Sequence, residues 1–411
     1  MPEAPDRRTP DRIVPVRIGA YTASSAVGRG RAATLEALRV RRSGLLPNDF
    51  GETPVPTCIG RVAGVEGAPL PERLARWECR NNRLAWLGLD QDGFLDAVGA
   101  ARERYGRARI AVVVGTSTSS IGASEEAYRR LQPDGAFPSD LRRPIVHTPH
   151  SAGEFVQDAL GLSGICVTTA TACSSSAKVF AQAERLLRLG LADAAVVGGV
   201  DTLCGSVLFG FNALELVSPE PCRPFDPARR GINLGEAAGF ALLERAGAAH
   251  AQTGPWLLGY GESSDAHHMS APHPEGLGAR IALRDAFARS GLEPGQIDYI
   301  NLHGTASQKN DEVEARVIAD LFPARTRASS TKGWTGHTLG AAGILEAVIT
   351  LLALEAGLAP GTLNSTALDP ACGPQIRLDN AQADLAFALS LSFGFGGSNC
   401  VLLFGRRGAE R

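Results

Sequence analysis

Gly164-Ile-Cys-Val-Thr-Thr-Ala-Thr-Ala-Cys-Ser-Ser-Ser176 opens on β-branched residues and closes on small polar ones. The segment from Ser176 to Gly190 then reads as a helix of Ala, Phe, Leu and Arg closed by glycine, and Asp193-Ala-Ala-Val-Val-Gly-Gly199 is again a short apolar run. A strand, a helix and a strand in this order predict an α/β protein whose sheet is covered by helices. Further outward, Arg109-Ile-Ala-Val-Val-Val-Gly115 and Gly239-Phe-Ala-Leu-Leu-Glu244 read as two more buried strands. A polar, alanine-rich break at 247–255 interrupts the pattern, which then resumes. Trp256–Gly261 and Asp298–Leu302 read as strands, Gly278–Ser290, Asp311–Leu321 and 340–356 as helices, and 384–392 and 399–404 as closing strands. Two successive halves, residues 11–250 and 251–411, thus share an element order that suggests internal duplication, although no residue-level repeat accompanies it. No linker is long or of low complexity, so the halves are expected to pack as one body.

Composition narrows the function. With 44% hydrophobic residues among 411, the chain buries enough surface to exclude intrinsic disorder. A net charge of −2, from 41 basic and 43 acidic residues, gives no global field for nucleic acid or anionic lipid. The 8 cysteines are too sparse for a disulfide scaffold, and no two are separated by two residues, so zinc-ribbon and thioredoxin spacings are absent. The opening, Met1 to Pro10, lacks the apolar stretch of a signal peptide. The apolar stretch Gly340–Pro360 carries Glu346 and Glu355, which suit a buried helix better than a membrane span. The expected compartment is the cytoplasm, where a cysteine is a thiol and can be a nucleophile.

Four motifs carry candidate chemistry. Cys173 sits between a buried strand and a helix N-terminus, whose free N–H groups and dipole favour a thiolate. His303, in Asn301-Leu-His-Gly-Thr-Ala-Ser307, follows a strand into a glycine turn. Lys332 and His337, in Ser329-Ser-Thr-Lys-Gly-Trp-Thr-Gly-His337, precede the apolar helix, and burial there favours a neutral imidazole. Ser392-Phe-Gly-Phe-Gly-Gly-Ser-Asn399 lacks the Gly-Lys-Ser/Thr ending of a nucleotide loop and instead suits an oxyanion-binding backbone N–H. His267, His268 and His273 cluster beside Pro272 and Pro274, without the cysteine or carboxylate spacing of a metal site, so no metal is expected.

Taken in order, Thr171-Ala-Cys-Ser-Ser, Pro224-Phe-Asp-Pro, Gly235-Glu-Ala-Ala-Gly, His303-Gly-Thr, Lys332 with His337, and Gly394-Phe-Gly-Gly-Ser-Asn closely resemble the elongating β-ketoacyl-acyl carrier protein synthases of the thiolase fold. The resemblance runs nearly the full chain. It implies two βαβαβαββ halves in a five-layered α-β-α-β-α core, working as a dimer. It also implies that Cys173 takes an acyl group from a carrier's phosphopantetheine thiol, while His303 and His337 promote decarboxylation of malonyl-carrier. Lys332 completes the catalytic set as a supporting residue, tied to Glu314 and tuning the adjacent histidine; Asp311 also supports the site. The N–H groups of Cys173 and Phe395 would form the oxyanion hole, with Phe395 as a gate. Substrate would meet Thr305, Ser307, Phe393, His268 and, at the floor of the acyl pocket, Thr118. Ser307 and Ser398 stand where the family commonly has threonine, and both keep a hydroxyl.

No cofactor is implied beyond the carrier's own phosphopantetheine, and the implied partners are an acyl carrier protein and a second ketosynthase-like subunit. That subunit is either another copy or a chain length factor. Pro221-Cys-Arg-Pro-Phe-Asp and Glu262-Ser-Ser-Asp-Ala-His-His-Met-Ser also look like the ketosynthases of aryl polyene clusters, so fatty-acid and aryl polyene elongation both stay open. The alternative of a non-condensing chain length factor is opposed by the retained Cys173, His303 and His337. Priming synthases and thiolases use Cys-His-Asn and Cys-His-Cys sets, which fit His337 less well. A cysteine hydrolase has no specific support. Arg223, Arg229 and Arg230 are candidate contacts for an acidic carrier, weighed against a plain solvated loop.

Overall fold

The computed structural model describes residues 10–52, 54–245 and 254–406. The break at 247–255, apart from its last two residues, and the boundary between the two expected halves lie outside the described residues, as do the first nine residues.

The main sheet has eleven strands, of which the two-residue strand Gly28–Arg29 only pairs off the end of the first; the other ten are β1 (Val16–Ser25), β2 (Ile110–Gly115), β3 (Cys166–Thr169), β4 (Ala194–Asp201), β5 (Ala237–Arg245), β6 (Pro255–Ser264), β7 (Tyr299–Asn301), β8 (Arg327–Ser329), β9 (Phe387–Gly394) and β10 (Ser398–Arg406). The helices that cover them are α1 (Arg80–Leu89), α2 (Phe94–Tyr105), α3 (Ser151–Ala159), α4 (Ser175–Arg188), α5 (Gly205–Ala213), α6 (Leu277–Ser290), α7 (Gln308–Leu321) and α8 (Ala342–Ala356). Every element expected from the sequence is present, with ends displaced by three residues at most. The central strand β1 was not anticipated: its sequence, Val-Arg-Ile-Gly-Ala-Tyr-Thr-Ala-Ser-Ser, is too polar and small-residued to announce a buried strand.

The strand order is β8-β7-β9-β10-β6-β1-β5-β4-β2-β3. Its first-half portion, β3-β2-β4-β5-β1, recurs in the second half as β8-β7-β9-β10-β6, with the same parallel and antiparallel neighbours. Along the sheet, the described strands of the two halves are paired at Val16 with Leu257 and Arg17 with Trp256. This is the thiolase fold. β2 and β4, central in the first half-sheet, are buried along their whole length because both faces of the sheet are covered by helices.

Three apolar clusters separate five layers. One lies between α1, α2, α3 and the first half-sheet, one surrounds α4 and α8 between the half-sheets, and one packs α6 and α7 on the second half-sheet. The segment Leu339–Ala356 is long and apolar enough to cross a membrane, yet 89% of it is buried within the fold, which makes it a core helix apolar on all sides. It approaches α4 so closely that a Cβ on Gly343 would lie 2.4 Å from the Ala177 nitrogen. The consequence for function is positional. Helices α4 and α8 meet at the centre, so the turns that precede them, carrying Cys173 and His337, are brought face to face.

Candidate active site

Cys173 is 5% exposed, in a turn whose Ala172 takes a left-handed φ of 52°. Serine side chains bind this turn: Ser175 Oγ accepts from the Thr171 N–H at 2.9 Å, and Ser174 Oγ donates to the Thr171 carbonyl at 2.9 Å. His337 Nε2 lies 3.0 Å from Cys173 Sγ, and the rings of His303 and His337 meet edge-on with centroids 5.5 Å apart.

The protons on the two imidazoles follow from their neighbours. The Leu339 N–H donates to His337 Nδ1 at 3.1 Å, and Lys332 Nζ lies 3.4 Å from His303 Nδ1. Both neighbours are donors, so each Nδ1 accepts and each Nε2 carries the hydrogen. Burial pushes both histidines well below the usual imidazole range, with Lys332 adding to the effect, so both rings are neutral. The site therefore presents two neutral N–H donors beside a thiol. Cys173, His303 and His337 have ligand atoms within 4.8 Å of one another. A metal, however, needs the Nε2 lone pairs, and those are the positions that carry protons.

Burial pushes the Cys173 thiol up to about 11, opposed first by the Phe395 N–H and then by Lys332. The thiolate expected from the helix N-terminus is thus overridden by desolvation, and the resting group is a thiol. Phe395 follows Gly394, whose backbone passes so near the cysteine that a Cβ there would be 3.3 Å from the Cys173 nitrogen. The N–H groups of Phe395 and Cys173 both act on the Cys173 sulfur. The Phe395 ring packs on Phe211 of α5 at 5.7 Å. Its loop is tied to the 265–273 segment: Gly396 N–H donates to the Met269 carbonyl at 2.7 Å, and Asp265 N–H donates to the Gly397 carbonyl at 2.9 Å.

The thiol and both imidazoles open into one cavity of about 410 Å³, which also takes in Phe393 and Phe395. Thr305, Ser307 and His268 line the same cavity, and the Thr305 and Ser307 hydroxyls are 2.9 Å apart.

Residues 87–249 match the family Beta-ketoacyl synthase, N-terminal domain, and residues 256–366 match Beta-ketoacyl synthase, C-terminal domain. A 3-oxoacyl-[acyl-carrier-protein] synthase 2 of Staphylococcus aureus is 33% identical over 310 residues, covering 72% of this chain and 75% of that protein. The chain belongs to the β-ketoacyl synthase family. A ketosynthase (ApeO) solved in complex with its chain length factor (ApeC) from Xenorhabdus doucetiae is 36% identical, with a TM-score of 0.86 and coverage of 95% and 98% of the two chains. The ishigamide ketosynthase/chain length factor is 28% identical, with a TM-score of 0.83 and coverage of 96% and 99%.

The structure departs from several sequence expectations for this β-ketoacyl synthase family member. Lys332 does not pair with Glu314. Its Nζ forms an ion pair with Glu346 and donates to the His303 carbonyl. Glu314 instead accepts the His303 and Gly304 N–H groups, each at 2.8 Å, and so fixes the turn rather than the lysine. Asp311, which burial pushes up to about 6, accepts the Phe225 N–H at 2.8 Å and the Ala306 N–H, joining the Pro-Phe-Asp-Pro turn to the histidine loop. Thr118 stands apart from the cavity, its hydroxyl donating to Asp201 at 2.8 Å. The three arginines do not act together: Arg223 pairs with Glu220, Arg229 is buried on Asp369 at 2.6 Å, and Arg230 reaches the cavity mouth.

Two contributors escaped the sequence reading. Glu346 was legible, since a carboxylate inside an otherwise apolar helix requires a cationic partner. Asp265 was not. It receives the Asn399 side-chain amide at 2.8 Å and so holds the end of the glycine loop, a contact between segments far apart in sequence.

Proposed function

We propose that this β-ketoacyl synthase family protein catalyses decarboxylative Claisen condensation, extending a cysteine-bound acyl chain with malonyl units delivered on an acyl carrier protein. The observation that carries this reading is the pair of neutral Nε2–H donors facing the Cys173 thiol within one cavity. In the first step the cysteine sulfur attacks the carrier thioester, and its proton leaves with the carrier thiol, so no net proton is consumed. The tetrahedral oxygen sits at the N–H groups of Phe395 and Cys173. In the second step malonyl-carrier loses CO₂, and His303 and His337 hold the negative oxygen of the resulting enolate through their Nε2–H groups. The enolate carbon attacks the acyl-cysteine, releasing the 3-oxoacyl chain on its carrier; one proton taken up restores the thiol. Lys332, held by Glu346, positions His303 and keeps its Nδ1 an acceptor. No cofactor beyond the carrier's arm enters these steps.

The acyl chain is a fatty acid or an aryl polyene or polyketide intermediate. The likeness to two ketosynthases solved with chain length factors favours a heterodimer over a pair of identical subunits. The edge strand β3 is half-exposed throughout, with Ile165 beside it 39% exposed, and its outer edge, unpaired among the described residues, is available to that partner. The retained thiol and both imidazoles oppose a non-condensing role for this chain itself.

The test is intact mass after incubation with acyl carriers of graded length and unsaturation, with and without a candidate partner subunit, followed by malonyl-carrier. An adduct dependent on Cys173 and discharged by malonyl-carrier is expected. The preferred primer separates the fatty-acid from the polyene reading, and an adduct seen only with the partner identifies the heterodimer.

A further inference from the structure

The mouth of the Cys173 cavity carries three charged residues, Glu215, Arg230 and Lys309. Arg230 and Lys309 are exposed, and among the described residues neither side chain has an ion-pair or hydrogen-bond partner. Their neighbours are, by contrast, fully engaged: Arg223 pairs with Glu220 and Arg229 with Asp369.

The two segments that carry the free cations are joined by a reciprocal side-chain-to-backbone lock. Arg229 donates to the Gln308 carbonyl at 3.0 Å, Gln308 Nε2 donates to the Arg229 carbonyl at 2.8 Å, and Gly231 N–H donates to the Ala306 carbonyl at 3.1 Å. Arg230 and Lys309 are each the residue next to a member of this lock. Arg229 itself is only 3% exposed, so the lock is anchored in the body of the protein.

Among the described residues no carboxylate forms an ion pair with either cation. Asp311 is turned inward onto the Phe225 and Ala306 N–H groups, and Asp265 is engaged with Asn399 and the His273 N–H. Glu215 is the one exposed carboxylate of the lining, and it forms no ion pair with either cation. Two like charges on the lining of one cavity, without a counter-ion, make its mouth attractive to an anion.

We propose that Arg230 and Lys309 form a phosphate clamp that grips the phosphodiester joining a thioester-bearing arm to its carrier. The inference rests on the reading of the chain as a carrier-dependent condensing enzyme. Such an arm reaches Cys173 while the carrier stays outside, which leaves its phosphate at the rim. A guanidinium offers paired N–H donors to phosphate oxygens, and an ammonium adds a point charge.

The experiment compares three donors of one acyl group: the pantetheine thioester, the 4′-phosphopantetheine thioester and the carrier-borne thioester. The readout is kcat/KM for Cys173 acylation, using the full-length protein with its partner subunit where one is required. In the wild type the phosphorylated arm should outperform the dephosphorylated one by about tenfold, the scale of one or two charge-assisted contacts at an exposed site. In Arg230→Ala/Lys309→Ala that ratio should fall toward one, any loss common to both arms cancelling, and Arg230→Lys with Lys309→Arg should restore most of it. A wild-type ratio near one overturns the clamp. So does a variant whose loss appears only with the carrier-borne donor, since the cations then meet the carrier's own surface. A wild-type protein that takes no acyl group from any donor, with Cys173→Ala as blank, overturns the condensing-enzyme reading and the clamp with it.

Discussion

The two halves of the molecule share a strand order and differ in what their turns present. After β2, the turn Thr116–Thr118 is bound to the carboxylate of Asp201, with the Thr116 hydroxyl at 2.6 Å and the Ser117 N–H at 2.8 Å. After β7, the corresponding turn carries His303, with its own N–H and that of Gly304 bound to Glu314. A buried carboxylate pins the second-strand turn in both halves, yet only the second half places an imidazole there. After the third strand the first half offers Cys173, and the second offers Lys332 and His337. The edges differ too. β8 is flanked by Gln375–Arg377, whose backbone bonds to Ala328 on both sides, whereas β3 is left half-exposed. The duplicated topology brings these turns together, and the chemistry comes from which residue each copy places on them. In the proposed reaction one half holds the acyl group and the other holds the negative oxygen of the enolate.

Breaking the comparison at the nucleophile has the largest expected effect. Cys173→Ala should abolish the acyl adduct by intact mass and lower condensation on the order of 10⁴-fold, because among the described residues no second thiol lines the cavity. Next is the buried pair behind His303. Glu346→Gln leaves the Lys332 ammonium without its carboxylate and should cost about 3–5 kcal/mol of stability, read by denaturant unfolding. Loss of the buried carboxylate in the first half is milder: Asp201→Ala removes a group that serves neutral donors, and about 1.5–3 kcal/mol is expected. Equal losses at the two positions would show that the carboxylates serve the same purpose.

The last test is a pH dependence. Because burial pushes the Cys173 thiol up to about 11, the group is protonated near neutrality. Its iodoacetamide alkylation rate should therefore climb by about tenfold per pH unit from pH 7 to 10. A plateau below about pH 9 would mean that the helix N-terminus outweighs desolvation after all.

Legibility in the sequence followed the range of the interactions. Buried strands such as Ile110–Gly115 and the helix Ala342–Ala356 declare themselves through local apolar runs, and Cys173, His303 and His337 through the small or glycine-rich turns around them. β1 stayed hidden because burial between two neighbours, not its own composition, makes it a strand. The choice of Glu346 over Glu314 as the partner of Lys332 depends on how α7 and α8 approach the same turn, and no local pattern encodes that. The same holds for the two cations at the cavity mouth, where Arg229 resembles Arg230 in sequence but is buried on Asp369.

The central claim, that the halves divide acyl transfer from condensation, is tested most directly in His303→Ala and His337→Ala. Each variant would be loaded with acyl carrier, weighed intact, then given malonyl-carrier and weighed again. The account predicts an acyl adduct on Cys173 in both, with discharge slowed about a hundredfold or more, since each has lost one donor to the enolate oxygen. Discharge at the wild-type rate in both variants, or failure of both to acquire the adduct, would contradict it.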